Sequence, residues 1–400
     1  MKPLQVKRDL SLVLKRALEQ KIPFIIGSAG GSGAKPHVER TLEILREIAE
    51  EQKLHFKAAV IYSDLDQEVL RRAASEQRIH PCGGSPEFDP AVIGSLRNPV
   101  VQFGTEPVIA ALQTGADVIL AGRCCDTAVF ASYPIMHGFP EGLSLHAAKI
   151  AECGALCARP VGANDSLVVT LRRDSFTVEP PNPLRKCTPD SVAAHSLYEQ
   201  PDPNCFYEPE GMIDMRGSSF EQTGERAVTV SGTELVPASK KTLKLEGAVF
   251  RGFRSITIAG LRDPVAVASL DAIERGVRAG VAGSIRDITE DYQLRFLRYG
   301  IDAVGGRLEA PPEQLPREAA LVIEAVALTQ ELADTVISLA RSSALHQAFP
   351  NRKATAGNLA FPFSPSDFHG GEVYEFALYH LMDSEGIAPE FKPEIMEIGK

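Results

Sequence analysis

Arg123 and Asp126, three residues apart in GADVILAGRCCDTAVFASYPIMH (115–137), are the pair whose types and spacing best suit chemistry. The apolar run Val118-Ile119-Leu120 reads as a buried strand that ends at Gly122 and delivers a cation and a carboxylate to the start of a helix. A guanidinium there can grip a carboxylate or a thioester-linked anion. A carboxylate in the first helical turn can orient that group or handle a proton. The same spacing fits an Arg–Asp pair that only fastens the strand exit. Cys124 and Cys125 lie between them, but with no activating base in view they are weak nucleophile candidates.

Other residues join this pair as candidates. Glu106, in Thr105-Glu106-Pro107, follows the third core strand at a helix start, where it can transfer a proton or cap the first turn. Gly27, Ser28, Gly30, Gly31, Ser32 and Gly33 form a glycine loop between a strand and a helix, with Gly122 facing the same end of the sheet. Free N–H groups at that helix start favour an anion or carboxylate, and the two serines add hydroxyls. The spacing is neither the dinucleotide fingerprint nor a phosphate loop, and a simple tight turn explains it as well. Arg254, near Arg251, can place positive charge over the first domain's cleft, and Asn358 opens the shaped loop NLAFPFSPSDF (358–368) that can cover a pocket. Lys149 and Glu152 in HAAKIAECG are reserve groups with an equally good surface or interface reading, and Asp165 reads as a turn residue. His369 and His380 make no metal claim, and no H-E-x-x-H, G-x-S-x-G or CxxC signature occurs. No metal site and no cofactor is assigned.

These groups must be positioned by repeating strand–helix units. Strands are expected at 23–26, 56–62, 100–103 and 117–121, and helices at 36–53, 106–114 and after Ser63 or Asp64 as cap. An α/β fold follows, with an N-terminal, mostly parallel sheet and flanking helices. Residues 176–210 read as an irregular excursion or lid, with short strands at 227–230 and 243–245. From 248 a β-α-β-β-α-β rhythm predicts a smaller C-terminal α+β domain. The expected domains are 1–165, 166–247 and 248–400.

Composition removes several function classes. A formal charge of −10 argues against a nucleic-acid surface and, more mildly, against an anionic membrane. No apolar stretch reaches the roughly 20 residues that span a bilayer, and the N-terminus reads as an amphipathic helix, so a cytoplasmic location is expected. Seven cysteines, an odd number, exclude a fully paired disulfide framework within one chain.

IPFIIGSAGGSGAKPH, GADVILAGRCCDTAVFA with HAAKIAECGA, and NLAFPFSPSDF together resemble the acyclic terpene utilisation (AtuA-like) family over most of residues 20–380. Gly27, Gly30, Gly31 and Gly33 match its glycine loop. Gly122, Arg123 and Asp126 match its strand-exit motif, with Cys124-Cys125 where a small or polar pair is commoner, and Glu152, Cys153 and Gly154 match the helix motif. The resemblance implies terpenoid catabolism through acyl-CoA intermediates and a small companion subunit.

The expected function is a cofactor-independent lyase, a hydratase or dehydratase, acting on a carboxylic acid or its acyl-CoA thioester. In it the glycine loop holds an anionic group, Arg123 and Arg254 neutralise charge at the carbonyl, and Asp126 or Glu106 moves the proton. One alternative is a hydrolase of a small ester or amide, metal-free or using Asp126, Glu106 and Asp165 as oxygen ligands. Another is a non-catalytic acyl-ligand-binding subunit. The broad α/β face and long helices are compatible with a homo-oligomer.

Overall fold

The computed structural model describes residues 1–162, 165–308, 314–353, 357–386 and 390–399. The architecture is mixed α/β, with several sheets and helices. The chain divides into two compact units, Met1–Ala248 with Phe376–Lys400, and Val249–Glu375. The division is therefore not a simple N-terminal and C-terminal split, because the last segment of chain returns to the first unit.

The first unit opens with α1 (Pro3–Glu19), β1 (Phe24–Ile26), α2 (Lys35–Gln52), β2 (Phe56–Ile61), α3 (Gln67–Ser75) and β3 (Ile79–Pro81). β4 (Leu96–Gln102), α4 (Thr105–Gln113), β5 (Val118–Ala121), α5 (Asp126–Met136) and α6 (Glu141–Ala151) follow. β1, β5 and β2 pair in parallel, in the order β1-β5-β2. Their residues are apolar on both faces because helices cover both, and Val118 to Ala121 are fully buried. Val38, Leu42, Leu45 and Ile48 of α2, at helical spacing, pack on one face together with Leu14 of α1.

Several expectations change here. The strand at 96–102 lies outside the parallel sheet and pairs instead with β13 (Thr242–Leu261). The fourth strand of the parallel sheet is β17 (Glu394–Ile398), which joins β2 antiparallel. Asp66, rather than Ser63 or Asp64, caps α3 by accepting from Glu68 N at 2.7 Å. Asp64 is taken by Lys35 N at 2.9 Å, and Ser63 is fully buried against the glycine loop.

Residues 176–210, expected to be irregular, carry regular structure, while the strands expected at 166–171 and 227–230 are present as Val168–Leu171 and Ala227–Ser231. β6 (Val168–Leu171) and β7 (Ser175–Glu179) pair with β10 (Ser219–Thr223) and β11 (Ala227–Ser231) in a four-stranded antiparallel sheet. α7 (Pro189–Ser196) starts at a capping box built by Thr188 and Ser191. β8 (Cys205–Glu208) and β9 (Gly211–Asp214) form a hairpin that β12 (Glu234–Pro237) extends. Two expected short strands, at 243–245 and 253–259, are parts of the single 20-residue β13.

The second unit takes in the C-terminal part of β13, α8 (Pro264–Ala268), α9 (Leu270–Ser284), β14 (Tyr292–Tyr299), β15 (Ala319–Ala327), α10 (Gln330–His346) and the first part of β16 (Asp367–Asp383). Its strand order, β14-β15-β13-β16 with antiparallel β13/β15 and β14/β15 pairs, is the arrangement a β-α-β-β-α-β rhythm produces. Val277 and Val281 of α9 and Val336, Ile337 and Ala340 of α10 cover one face of that sheet.

Candidate active site at the start of helix α5

The parallel sheet ends where β5 passes into Gly122-Arg123-Cys124-Cys125, and α5 begins at Asp126. The glycine loop is laid directly against this exit. Ser28 N and Ala29 N donate to the carbonyls of Gly122 and Ala121, both at 3.1 Å. Gly31 N and Gly33 N donate within the loop, to Ser28 O and Ala29 O. Gly33 has φ +66, and a Cβ there would lie 2.1 Å from Arg123 N, so only glycine fits. A Cβ on Gly27 would meet Val129 Cγ2 at 2.2 Å, which sets how closely α5 approaches the loop. Ser63 Oγ accepts from Arg123 N at 2.6 Å and donates to Gly33 O at 3.2 Å, stitching loop to exit. Gly30 and Gly31 also have positive φ, and Ser32 Oγ bonds His37 Nδ1 at 2.8 Å on the exposed side.

Arg123 does not pair with Asp126. Its guanidinium grips Glu246 of β13 in a fork, Nε to Oε2 at 2.8 Å and Nη2 to Oε1 at 3.1 Å. Nη1 reaches Ser28 Oγ at 3.4 Å. Both side chains of the ion pair are mostly buried, 20% and 13% exposed, and Lys244 adds a second cation to Glu246 at 3.4 Å. Asp126 is exposed at the first position of α5, close enough to Arg123 and Glu152 to act on both electrostatically.

Carboxyls that the sequence did not single out gather here. Glu208 and Glu210 flank Pro209 at the turn between β8 and β9. Glu210 Oε1 accepts from both Thr105 N and Thr105 Oγ1, each at 2.6 Å, capping α4, while its Oε2 is buried without a partner among the described residues. Glu208 lies against Cys125 and Thr127 at the start of α5. Burial pushes its carboxyl up to about 7, Thr127 opposes the shift, and the charge of Glu210 adds to it. Thr127 is only 2% exposed, and its hydroxyl closes no hydrogen bond of standard geometry among the described residues. Burial raises the Cys124 and Cys125 thiols, which makes thiolate chemistry at either one unfavourable.

α6 is buried along nearly its whole length, so the surface reading of Lys149 is replaced by a buried one. Lys149 Nζ meets Glu152 Oε1 at 2.6 Å and lies over the Tyr198 ring. Burial also raises the Glu152 carboxyl, against the pull of Lys149. His146 is a core residue, bonded to Thr233 Oγ1 and Ser196 Oγ, and burial drives it down to about 3 so that it stays neutral.

Glu106 stands apart from this group. Its side chain is 80% exposed and its carboxylate meets Lys241 at 2.9 Å. It borders a cavity of about 910 Å³ together with Phe103, Thr105, Glu210, Lys241 and Phe391. Asp165 is held by Arg185 and Asn182. No group of three or more His, Cys, Asp or Glu side chains among the described residues is arranged to hold a metal ion, so Asp126, Glu106 and Asp165 do not converge as ligands. Arg254 and Asn358 belong to the second unit. Arg254 Nε lies 3.4 Å from Glu324 Oε1, and Asn358 N donates to Leu345 O while its Nδ2 is buried without a partner among the described residues. All seven cysteines are free thiols.

The model of the acyclic terpene utilisation family protein AtuA matches residues 4–163 and 176–358. The chain belongs to this family. The match takes in the glycine loop, the strand exit, the β8–β9 hairpin and most of the second unit. No curated protein and no solved structure matches the chain. No helix among the described residues is long and apolar enough to cross a membrane.

Proposed function

We propose that this family member is a lyase, a hydratase or dehydratase that works without a cofactor on a carboxylic acid or its acyl-CoA thioester in catabolism. The observation that supports this is the set of carboxyls around the first turn of α5, with Asp126 in solvent and Glu152 and Glu208 both raised by burial. Adding or removing water beside a carbonyl moves one proton at carbon and one at oxygen. It therefore calls for a carboxyl that changes protonation state near neutral pH. In this scheme Arg123 works through the geometry it imposes, because Glu246 already occupies its fork. Lys149 is the cation within the carboxyl group, shared with Glu152. A small companion subunit, a second copy of the chain and a cytoplasmic setting belong to the same proposal.

A second reading has its own support. A cavity of about 910 Å³ is ample for an acyl ligand, so the chain could serve as the ligand-binding subunit of a complex. Native mass spectrometry of gently purified protein, combined with an NMR assay on 3-hydroxyacyl and 2-enoyl thioesters, separates the two. A retained acyl-CoA with interconversion of the thioesters is expected for the lyase. A retained ligand with no interconversion, with or without the companion, favours the binding subunit and sinks the lyase.

A further inference from the structure

We propose that the cavity beside Thr105 binds an amphipathic organic cation, a primary ammonium on an apolar chain, and that Glu210 receives the ammonium. Such a site is independent of the lyase chemistry proposed at the start of α5, and its occupant is opposite in charge to an acyl-CoA.

The cavity, about 910 Å³, lies wholly within the first unit. Its most buried lining is Phe103, Gly104 and Thr105, where β4 passes into α4. The tip of the β8–β9 hairpin is clasped onto this turn. Glu210 Oε1 accepts from Thr105 N and from Thr105 Oγ1, each at 2.6 Å. A Cβ on residue 104 would come within 2.4 Å of that oxygen, so Gly104 is part of the clasp. Both hydrogen bonds fall on one oxygen. They fix the carboxyl against the cavity that Glu210 lines and leave Oε2 buried without a partner among the described residues. A buried acceptor with no donor is costly, and an N–H brought by a ligand satisfies it.

Charge selects the kind of donor. Glu106, Glu141, Glu210, Glu385 and Glu390 line the cavity, against Lys240 and Lys241. Both lysines are already taken, Lys240 by Asp383 at 2.5 Å and Lys241 by Glu106 at 2.9 Å. A carboxylate or phosphate head therefore meets an excess of acidic side chains and no unpaired lysine in the lining. A primary ammonium brings three N–H donors and the complementary charge. Ile109, Ile135, Leu243 and Phe391 line the same cavity and supply apolar surface for a carbon chain.

Isothermal titration calorimetry on the full chain, with hexylammonium, hexanol and hexanoate as probes, tests this. Hexylammonium should bind at least about 10-fold more tightly than hexanol, which offers one uncharged donor, and hexanoate should not bind detectably. Hexanoyl-CoA should not displace hexylammonium. Glu210→Gln keeps an oxygen for Thr105 and turns the unpartnered one into an NH2 donor, so it should weaken hexylammonium binding at least about 10-fold. Leu243→Trp narrows the cavity while keeping Glu210 and Thr105. It should weaken hexylammonium and hexanol alike with an unchanged circular dichroism spectrum, and it decides the matter if Glu210→Gln fails to fold. Equal affinity for hexylammonium and hexanoate, or displacement by hexanoyl-CoA, overturns the assignment. Hexylammonium binding that is unchanged in folded Glu210→Gln or in Leu243→Trp overturns it too, as does failure of butyl-, hexyl- and octylammonium to bind at millimolar concentration. Interconversion of 3-hydroxyacyl and 2-enoyl thioesters judges the lyase reading separately from all of these results.

Discussion

Two glutamates approach the segment Arg123–Thr127 from strands far away in the chain, Glu246 from β13 and Glu208 from β8. Glu246 meets a guanidinium in a fork, with a lysine behind it, and its charge is fully spoken for. Glu208 has a threonine, a thiol and two more carboxyls around it, and no ion-pair partner among the described residues. One residue type in similar burial therefore plays two parts. The paired carboxylate is scaffold, because its ion pair fixes the strand exit and the glycine loop around it. The unpaired one costs stability when ionised, because desolvation brings its protonated and ionised forms close in energy.

The paired side should break hardest at Gly33. An alanine there needs φ +66 and drives its Cβ to 2.1 Å from Arg123 N, where the obstacle is backbone and cannot swing aside. Gly33→Ala should destabilise the first unit by about 3–4 kcal/mol, seen as a lower melting temperature and poor soluble yield. A melting curve superposable on the unaltered protein would mean that the loop and exit are not locked together. Next in size is Arg123→Met, which strands the Glu246 carboxylate and should cost about 2–4 kcal/mol in urea denaturation, softened by Lys244 at 3.4 Å. The double variant Arg123→Met/Glu246→Leu should recover most of that loss, since the buried charge goes with its partner.

The unpaired side should respond with the opposite sign. A carboxyl raised from 4.5 to about 7 binds its proton more tightly in the folded protein than in the unfolded chain. Between those values the unfolded state holds fewer protons, so stability falls as pH rises through the window and stays low above it. Glu208→Gln removes that penalty. It should be more stable than the unaltered protein at pH 8, by up to about 3 kcal/mol, with the gap narrowing steadily as pH falls toward 4.5. Melting temperatures across this range would check it, and a variant less stable at pH 8 would show that Glu208 has a hidden cationic partner. Glu246→Gln should show no such gain, and this contrast is the sharpest statement of the difference between the two glutamates.

How much of this was legible in the sequence follows the same division. β1, the glycine loop, α2, β2, β5 and α5 could be read directly, because apolar periodicity and the Gly-rich turn act over a few residues. Arg123 and Asp126 were legible as the polar end of a buried strand. Their partners were not, since Glu246 lies 123 residues beyond Arg123 and is brought in by a 20-residue strand whose interior holds Gly247 and Gly252. β8 and β9 are four residues each in a Pro-, Asn- and Asp-rich stretch, where alternation is too short to register. The one local hint was Glu-Pro-Glu at 208–210, a turn residue between two acids. The order of the parallel sheet was also partly hidden, because β17 and β4 choose their partners by tertiary packing rather than by local pattern.

The smallest expected effect belongs to Glu106, and it is the one that decides between strand exits. Local reasoning ranks Glu106 and Asp126 alike, since each sits in the first turn of a helix that follows a strand. Burial ranks them differently from Glu208. Glu106 is 80% exposed and its partner Lys241 is 71% exposed, so water screens the pair and replaces it readily when one member is lost. Glu106→Gln should therefore leave the melting temperature unchanged within error at pH 6 and at pH 8, and deuterium exchange into a 3-hydroxyacyl thioester should keep its rate and its pH midpoint. A tenfold or greater loss of exchange in Glu106→Gln, with Glu208→Gln unaffected, would move the proton transfer from the first turn of α5 to that of α4. The cavity beside Thr105 would then become the reacting site, and the Glu208 carboxyl a structural liability that the clasp tolerates.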